Sequence, residues 1–187
     1  MMKRIFDLAL GLILIALFGI PMIVIAMFIK LVSKGPSIFW TDRVGKNNII
    51  FKMAKFRTMK VDTPQVATHL MKNPEDYLIS GGKFLRKYSL DELPQLFNVL
   101  KGDMSFVGPR PALFNQEDLV KLRTEKNIHK LIPGVTGWAQ VNGRDDLPIP
   151  IKVSLDEYYL NHRSFSFDLR IIFLTVIKVI KREGVSH

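Results

Sequence analysis

Asp91 and Glu92 are adjacent carboxylates within the run Arg86-Lys87-Tyr88-Ser89-Leu90-Asp91-Glu92-Leu93-Pro94-Gln95. An ionised carboxylate near an arginine can act as a nucleophile or bind a hard metal ion. A structural role fits the same residues, because Ser89 and Glu92 have the spacing of a helix capping box. Pro94 argues against that register: with Ser89 as cap it would disrupt the first full turn. A start at or just after Asp91 puts Pro94 in the first turn, where it is tolerated, and sets Asp91 at a positive helix end that favours its charge.

Cations and amides recur in three other stretches. In Gly108-Pro109-Arg110-Pro111 two prolines fix φ on either side of one arginine, a presentation suited to bidentate phosphate binding or to a rigid ion pair. Pro133 to Arg144 offers close backbone approach at its glycines, the amides Gln140 and Asn142, and another cation in Arg144. Lys55-Phe56-Arg57-Thr58-Met59 alternates cations with apolar residues as a strand does. Neither common glycine-rich nucleotide loop, G-x-x-x-x-G-K-[ST] or G-x-G-x-x-G, is present.

Several elements must hold these groups. Ser37 to Lys52 reads as short strands around a Gly45–Asn48 turn. Leu93, Leu96, Phe97 and Leu100 have helical spacing closed by Gly102, and Gln116 to Asn127 reads as a charged surface helix. Val61 to Pro74 reads as an exposed connection or small helix, and Pro133 to Arg144 as loop and strand. The stripe Leu169, Ile172, Phe173, Val176, Ile177 and Ile180, with Arg170, Lys178, Lys181 and Arg182 largely off it, fits either a core-packing helix or one lying among lipid headgroups. Together these predict an α+β fold: a compact domain of short strands and several helices over residues 35–187.

Residues 1–34 differ from the rest. Leu8 to Ile29 carries no charge and, as a straight helix, reaches about 33 Å, enough for a bilayer core. No cleavage pattern of a signal peptide follows it. Lys3 and Arg4 precede the run and Lys30 and Lys34 end it, so flanking charge favours neither orientation of a single span. Pro21 with Gly19 predicts a helix broken near its middle that enters the membrane and returns, leaving both basic ends on the cytoplasmic side. The chain has 187 residues, no cysteine and a formal charge of +10, which excludes disulfides and thiolate chemistry and points to anionic partners. The cations are dispersed and no nucleic-acid-binding motif accompanies them, so nucleic acid is not expected.

Taken together, Lys55–Met59, Ser89–Gln95, Lys101–Ser105, Gly108–Pro111 and Gly137–Arg144 resemble the bacterial sugar transferase family, in particular its small monotopic phosphoglycosyltransferases. The likeness extends from the anchor to Asp168 and the terminal helix. It implies transfer of a sugar 1-phosphate from a UDP-sugar to undecaprenyl phosphate at the cytoplasmic face of the bacterial inner membrane, starting capsule, exopolysaccharide or glycoprotein glycan assembly. Asp91 would match the family's nucleophile and lie at or near Mg2+, and Glu92 would position the metal or assist proton transfer. Lys55, Arg86 and Arg110 would face phosphates; Arg144, with Gln140 and Asn142, would face the nucleotide. The resemblance also implies the re-entrant anchor, although Ile20 stands where members often carry serine before the proline. Two other classes fit the bare residues: a membrane-bound scaffold in which the acidic pair only caps a helix, and a glycosyltransferase moving the sugar alone.

Overall fold

A computed structural model describes residues 2–63, 73–143 and 147–181. The first element, α1 (Met2–Val32), is one unbroken helix through Pro21. The break expected near Pro21 is therefore not an interruption of helical backbone; a proline inside an apolar helix can kink it without ending it. A Cβ at Gly19 would meet nothing, so packing places no demand for glycine there. Among the described residues α1 alone is long and apolar enough to cross a membrane.

Its first turns are fastened to the domain. Lys3 donates to the Val107 carbonyl at 3.0 Å and pairs with Asp168, while the Arg4 guanidinium donates to the Val99 and Leu100 carbonyls at 2.6 and 2.7 Å. Buried Asp7 accepts the Phe106 N–H at 3.1 Å. Lys3 and Arg4, read from sequence as charges flanking a membrane run, thus point inward. A Cβ on Gly11 would lie 2.9 Å from a Leu100 methyl, so the absence of a side chain lets α1 come close. Farther along, Met22 and Ile29 are buried with Phe56, Ile79 and Leu85. The opposite face leaves Leu12, Ile13, Leu17, Ile20, Ile23, Val24, Met27 and Leu31 exposed.

The domain is α+β. Strands β1 (Ile38–Val44) and β2 (Ile50–Phe56) pair antiparallel, Ile38 opposite Phe56, around a turn in which Asn47 and Asn48 take positive φ. A short helix α2 (Gly82–Lys87) leads through a 3-10 turn, Leu90–Glu92, into α3 (Gln95–Lys101), which ends at Gly102 with φ 100°. Strand β3 (Ser105–Val107) pairs parallel with β5 (Gly134–Thr136), and β4 (Ala112–Leu113) adds to the free edge of β1. Helix α4 (Glu117–Glu125) lies between β4 and β5 in the chain, and α5 (Trp138–Gly143), α6 (Ile149–His162) and α7 (Phe165–Lys181) close the domain.

Where Pro133 to Arg144 was expected as loop and strand, the strand stops at Thr136 and α5 follows. Burial of Ala139 and Val141, stacking of Trp138 on Tyr158 and its tilted contact with Phe167 override the β-branched content. On α7 the buried positions are Asp168 and Ile171, whereas Leu169, Phe173 and Val176 of the predicted stripe are exposed, leaving an apolar face uncovered. Arg182 and nearly all of 61–74 except its ends lie outside the described residues.

The tether of α1 yields a test. Arg4→Ala removes the donor to the Leu100 carbonyl and leaves the Val99 carbonyl only the Gly102 N–H, and it is expected to cost about 1–3 kcal/mol in denaturant unfolding of the detergent-solubilised protein. Exposed Lys34→Ala should change stability by less than about 0.5 kcal/mol. Equal effects would mean that Arg4 is only a surface charge.

Candidate active site

Glu92 sits where three segments converge. Its Oε1 accepts from the Lys55 Nζ at 2.7 Å and from an Arg110 Nη at 3.0 Å, joining β2, the Leu90–Glu92 turn and the Pro-Arg-Pro segment. Ser89, in left-handed conformation at φ 54°, makes no side-chain cap bond, so the capping box does not form. Pro94 instead immediately precedes α3, where its missing N–H does no harm. Leu90 and Leu93, on either side of the acidic pair, pack against the cluster containing Met22 and Ile29 of α1. The turn bearing the carboxylates is thereby held against the apolar helix α1.

Asp91 and Glu92 are electrostatically unlike. Burial alone would raise the Glu92 pKa, but the charges and hydrogen bonds of Lys55 and Arg110 outweigh it and hold this carboxyl well below the usual carboxylate range. For Asp91, 7 % exposed, burial dominates and pushes the pKa up; Lys55, Arg86 and Arg110 pull it down and the neighbouring Glu92 charge adds to the rise. The positive helix end expected to favour its charge is thus outweighed by desolvation. The Asp91 carboxylate has no hydrogen bond or salt bridge to any described residue. One acid is committed to two cations, and its neighbour stands uncommitted in the field of three.

Arg86, from α2, donates through Nε to the Thr58 hydroxyl at 3.0 Å; burial lowers its pKa while both carboxylates oppose the shift. It remains a cation. Arg110 is placed by a close crossing of backbones. A Cβ on Gly108 would lie 2.3 Å from the Ile132 carbonyl oxygen, and one on Gly134 would lie 2.1 Å from the Gly108 nitrogen. Only glycine permits this approach, which lets the Gly134 N–H reach the Pro109 carbonyl at 2.9 Å.

The structure thus gathers Asp91, Glu92, Lys55, Arg86 and Arg110. Gln140 lies beside Gly137, next to the Gly108 backbone, with both amide atoms buried and unpartnered. Asn142, on the exposed end of α5, donates to the Trp138 carbonyl at 2.7 Å, and Arg144 lies outside the described residues. Sequence reasoning missed Thr58, and also Arg123 and Asp156, which form a buried ion pair behind Arg110. Nothing in the charged pattern of α4 singles Arg123 out.

Residues 1–182 match the bacterial sugar transferase family. The chain belongs to that family. It is 41% identical over 188 residues to "Uncharacterized sugar transferase EpsL" of Bacillus subtilis, covering 100% of this chain and 91% of the relative. It is 40% identical over 95% of its length to the Escherichia coli "UDP-glucose:undecaprenyl-phosphate glucose-1-phosphate transferase", and 38% identical over 97% to the Aeromonas hydrophila "UDP-N-acetylgalactosamine-undecaprenyl-phosphate N-acetylgalactosaminephosphotransferase". The chain spans 40% and 44% of the length of those two relatives.

Coupling between the two acids in this bacterial sugar transferase is testable through pH. As a nucleophile Asp91 would act in its ionised form, so activity is expected to rise with pH through its raised pKa. Glu92→Gln removes the adjacent negative charge and frees Lys55 and Arg110 to act on Asp91, both of which lower that pKa. The acid limb of the residual kcat/KM profile, which reports the free enzyme, is expected to move to lower pH. An unmoved or upward-shifted limb would contradict the coupling.

Proposed function

We propose that the protein transfers a sugar 1-phosphate from a UDP-sugar to undecaprenyl phosphate, with Asp91 as covalent nucleophile. The observation that carries this reading is the division of labour in the acidic pair: Glu92 is fixed by two cations, and Asp91 is free of partners within reach of the same charges. An Asp91 oxygen attacks the β-phosphorus, the bond from that phosphorus to the bridging oxygen breaks, and UMP leaves with the electron pair. A phosphate oxygen of the lipid carrier then attacks the same phosphorus and displaces Asp91, giving the undecaprenyl diphosphate sugar.

Lys55, Arg86 and Arg110 offset the charge of the diphosphate and orient it, and burial of Asp91 strengthens every such interaction. Glu92 keeps Lys55 and Arg110 in register. Gln140, Asn142 and Arg144 serve the nucleotide in this reading. Among the described residues no group of three or more acidic or histidine side chains forms a metal cage. The donor set suits Mg2+ held by Asp91 together with phosphate oxygens and water, the usual habit of this ion at diphosphate sites. When bound, the ion would neutralise charge on the leaving phosphate.

The anchor in this reading is re-entrant, with catalysis on the cytoplasmic face. Support comes from both ends of α1 touching one domain: Lys3, Arg4 and Asp7 near its start, Met22 and Ile29 in its second half. A straight span would carry one end across the bilayer, away from those contacts. The uncovered apolar faces of α1 and α7 supply surface for the lipid interior and the headgroup plane.

The nucleotide released separates the readings. UMP is expected from a panel of UDP-sugars with undecaprenyl phosphate; UDP would indicate transfer of the sugar alone, and neither would leave a scaffold. Asp91→Asn should abolish release without changing membrane association. Topology has its own test, because the chain lacks cysteine. Cysteines at exposed Met2 and Lys34 should both resist an impermeant thiol reagent in intact cells and react after lysis, whereas opposite labelling would establish a single span.

A further inference from the structure

Arg110 is held by two prolines in its own chain and by a device behind it. Arg123, on α4, donates through Nη1 to the Arg110 carbonyl at 2.8 Å. Through Nε and Nη2 it donates to one oxygen of Asp156, on α6, at 3.0 and 2.6 Å. The two side chains are 9 % and 1 % exposed. Alongside, Arg43 of β1 donates to the Pro111 carbonyl at 3.3 Å. The Arg110 and Pro111 carbonyls are thus each bonded by a guanidinium, and the Pro109 carbonyl by the Gly134 N–H.

A buried ion pair adds little net stability over apolar residues of the same volume, so stability alone does not account for its placement. Geometry does. With φ fixed at Pro109 and Pro111, the backbone freedom left at Arg110 includes rotation of its carbonyl, and the Arg123 bond removes that rotation. Asp156 in turn fixes the plane of the Arg123 guanidinium by accepting from two of its nitrogens. Burial pushes the Asp156 carboxyl up, and the charge and hydrogen bonds of Arg123 oppose that rise.

We propose that Arg123 and Asp156 are positioning residues that aim the Arg110 guanidinium at the diphosphate of the nucleotide sugar, an inference that rests on Arg110 binding phosphate as described above. Arg123 touches no reacting atom. It acts through the Arg110 carbonyl, and lysine cannot replace it because one ammonium cannot hold that carbonyl and both sides of the Asp156 contact in the planar fork.

A double-mutant cycle tests this, with UMP release measured on full-length protein in detergent and normalised to the folded fraction. Arg123→Lys is expected to lower kcat/KM for the UDP-sugar by about tenfold, as misplacement of a charge-stabilising group does. In the Arg110→Lys background the same change should cost less than about twofold, because the group it aims is already lost. Asp156→Asn, which keeps the bond from Arg123 to the carbonyl, should give a smaller loss with the same non-additivity and serves if Arg123→Lys folds poorly. Equal losses in both backgrounds, or no loss in the first, would make the pair a structural brace only and overturn the proposal. Full activity of Arg110→Lys alone would instead remove the phosphate role of Arg110, and this inference with it.

Discussion

The arrangement depends on one carboxylate oxygen accepting from two cations. The Glu92 Oε1 joins β2, the turn before α3 and the Pro-Arg-Pro segment through hydrogen-bonded ion pairs to Lys55 and Arg110. Without it, Lys55 and Arg110 would repel each other and compete for Asp91, and an ion pair on Asp91 would occupy the group that must stay available. Two adjacent acids can thus differ sharply: the one with partners is held ionised and fixed, while the one without is buried and responsive to whatever charge enters beside it. The spacing of the pair in sequence is trivial; what separates their roles is which of them the cations reach.

The apolar helix is as much a part of this site as the strands. Leu90 and Leu93 connect the acidic turn to the second half of α1, and Arg4 caps the carbonyl end of α3, the helix that begins at the same turn. The helix with the exposed apolar face therefore contacts both the acidic turn and the far end of α3. Under the proposed transfer to a lipid phosphate, the reactive group would be needed at a defined depth, and packing of Leu90 and Leu93 against the α1 cluster would supply that reference.

Much of this was legible in the sequence because the signals were local. The β1–β2 hairpin followed from short apolar runs around an asparagine-containing turn, α3 from its apolar spacing and Gly102, Asp91 and Glu92 from adjacent acids near a cation, Arg110 from its flanking prolines, and the grouping of Lys55 and Arg86 with them from the family resemblance. Other features were hidden because they depend on partners distant in the chain. Lys3 and Arg4 looked like membrane flanks, yet they are satisfied by Asp168 and by carbonyls of α3. Asp7, an acid at the threshold of an apolar run, was the available clue that this helix has a polar contact inside the domain. Helix α5 was misread because Gly and β-branched residues suggested strand, while packing of Trp138 against Tyr158 and Phe167 decided otherwise. Arg123 gave no signal, since a charged residue on a short amphipathic helix usually faces water.

The most direct test of the account is a single-turnover reaction lacking the lipid acceptor. With purified protein, Mg2+ and the UDP-sugar that supports turnover, the account predicts a burst of UMP equal to the enzyme present. It also predicts a sugar-phosphate mass addition on the peptide containing Asp91, discharged when undecaprenyl phosphate is added. UMP formed only when the lipid is present, with no mass added to the protein, would show direct transfer between substrates and contradict the role assigned to Asp91.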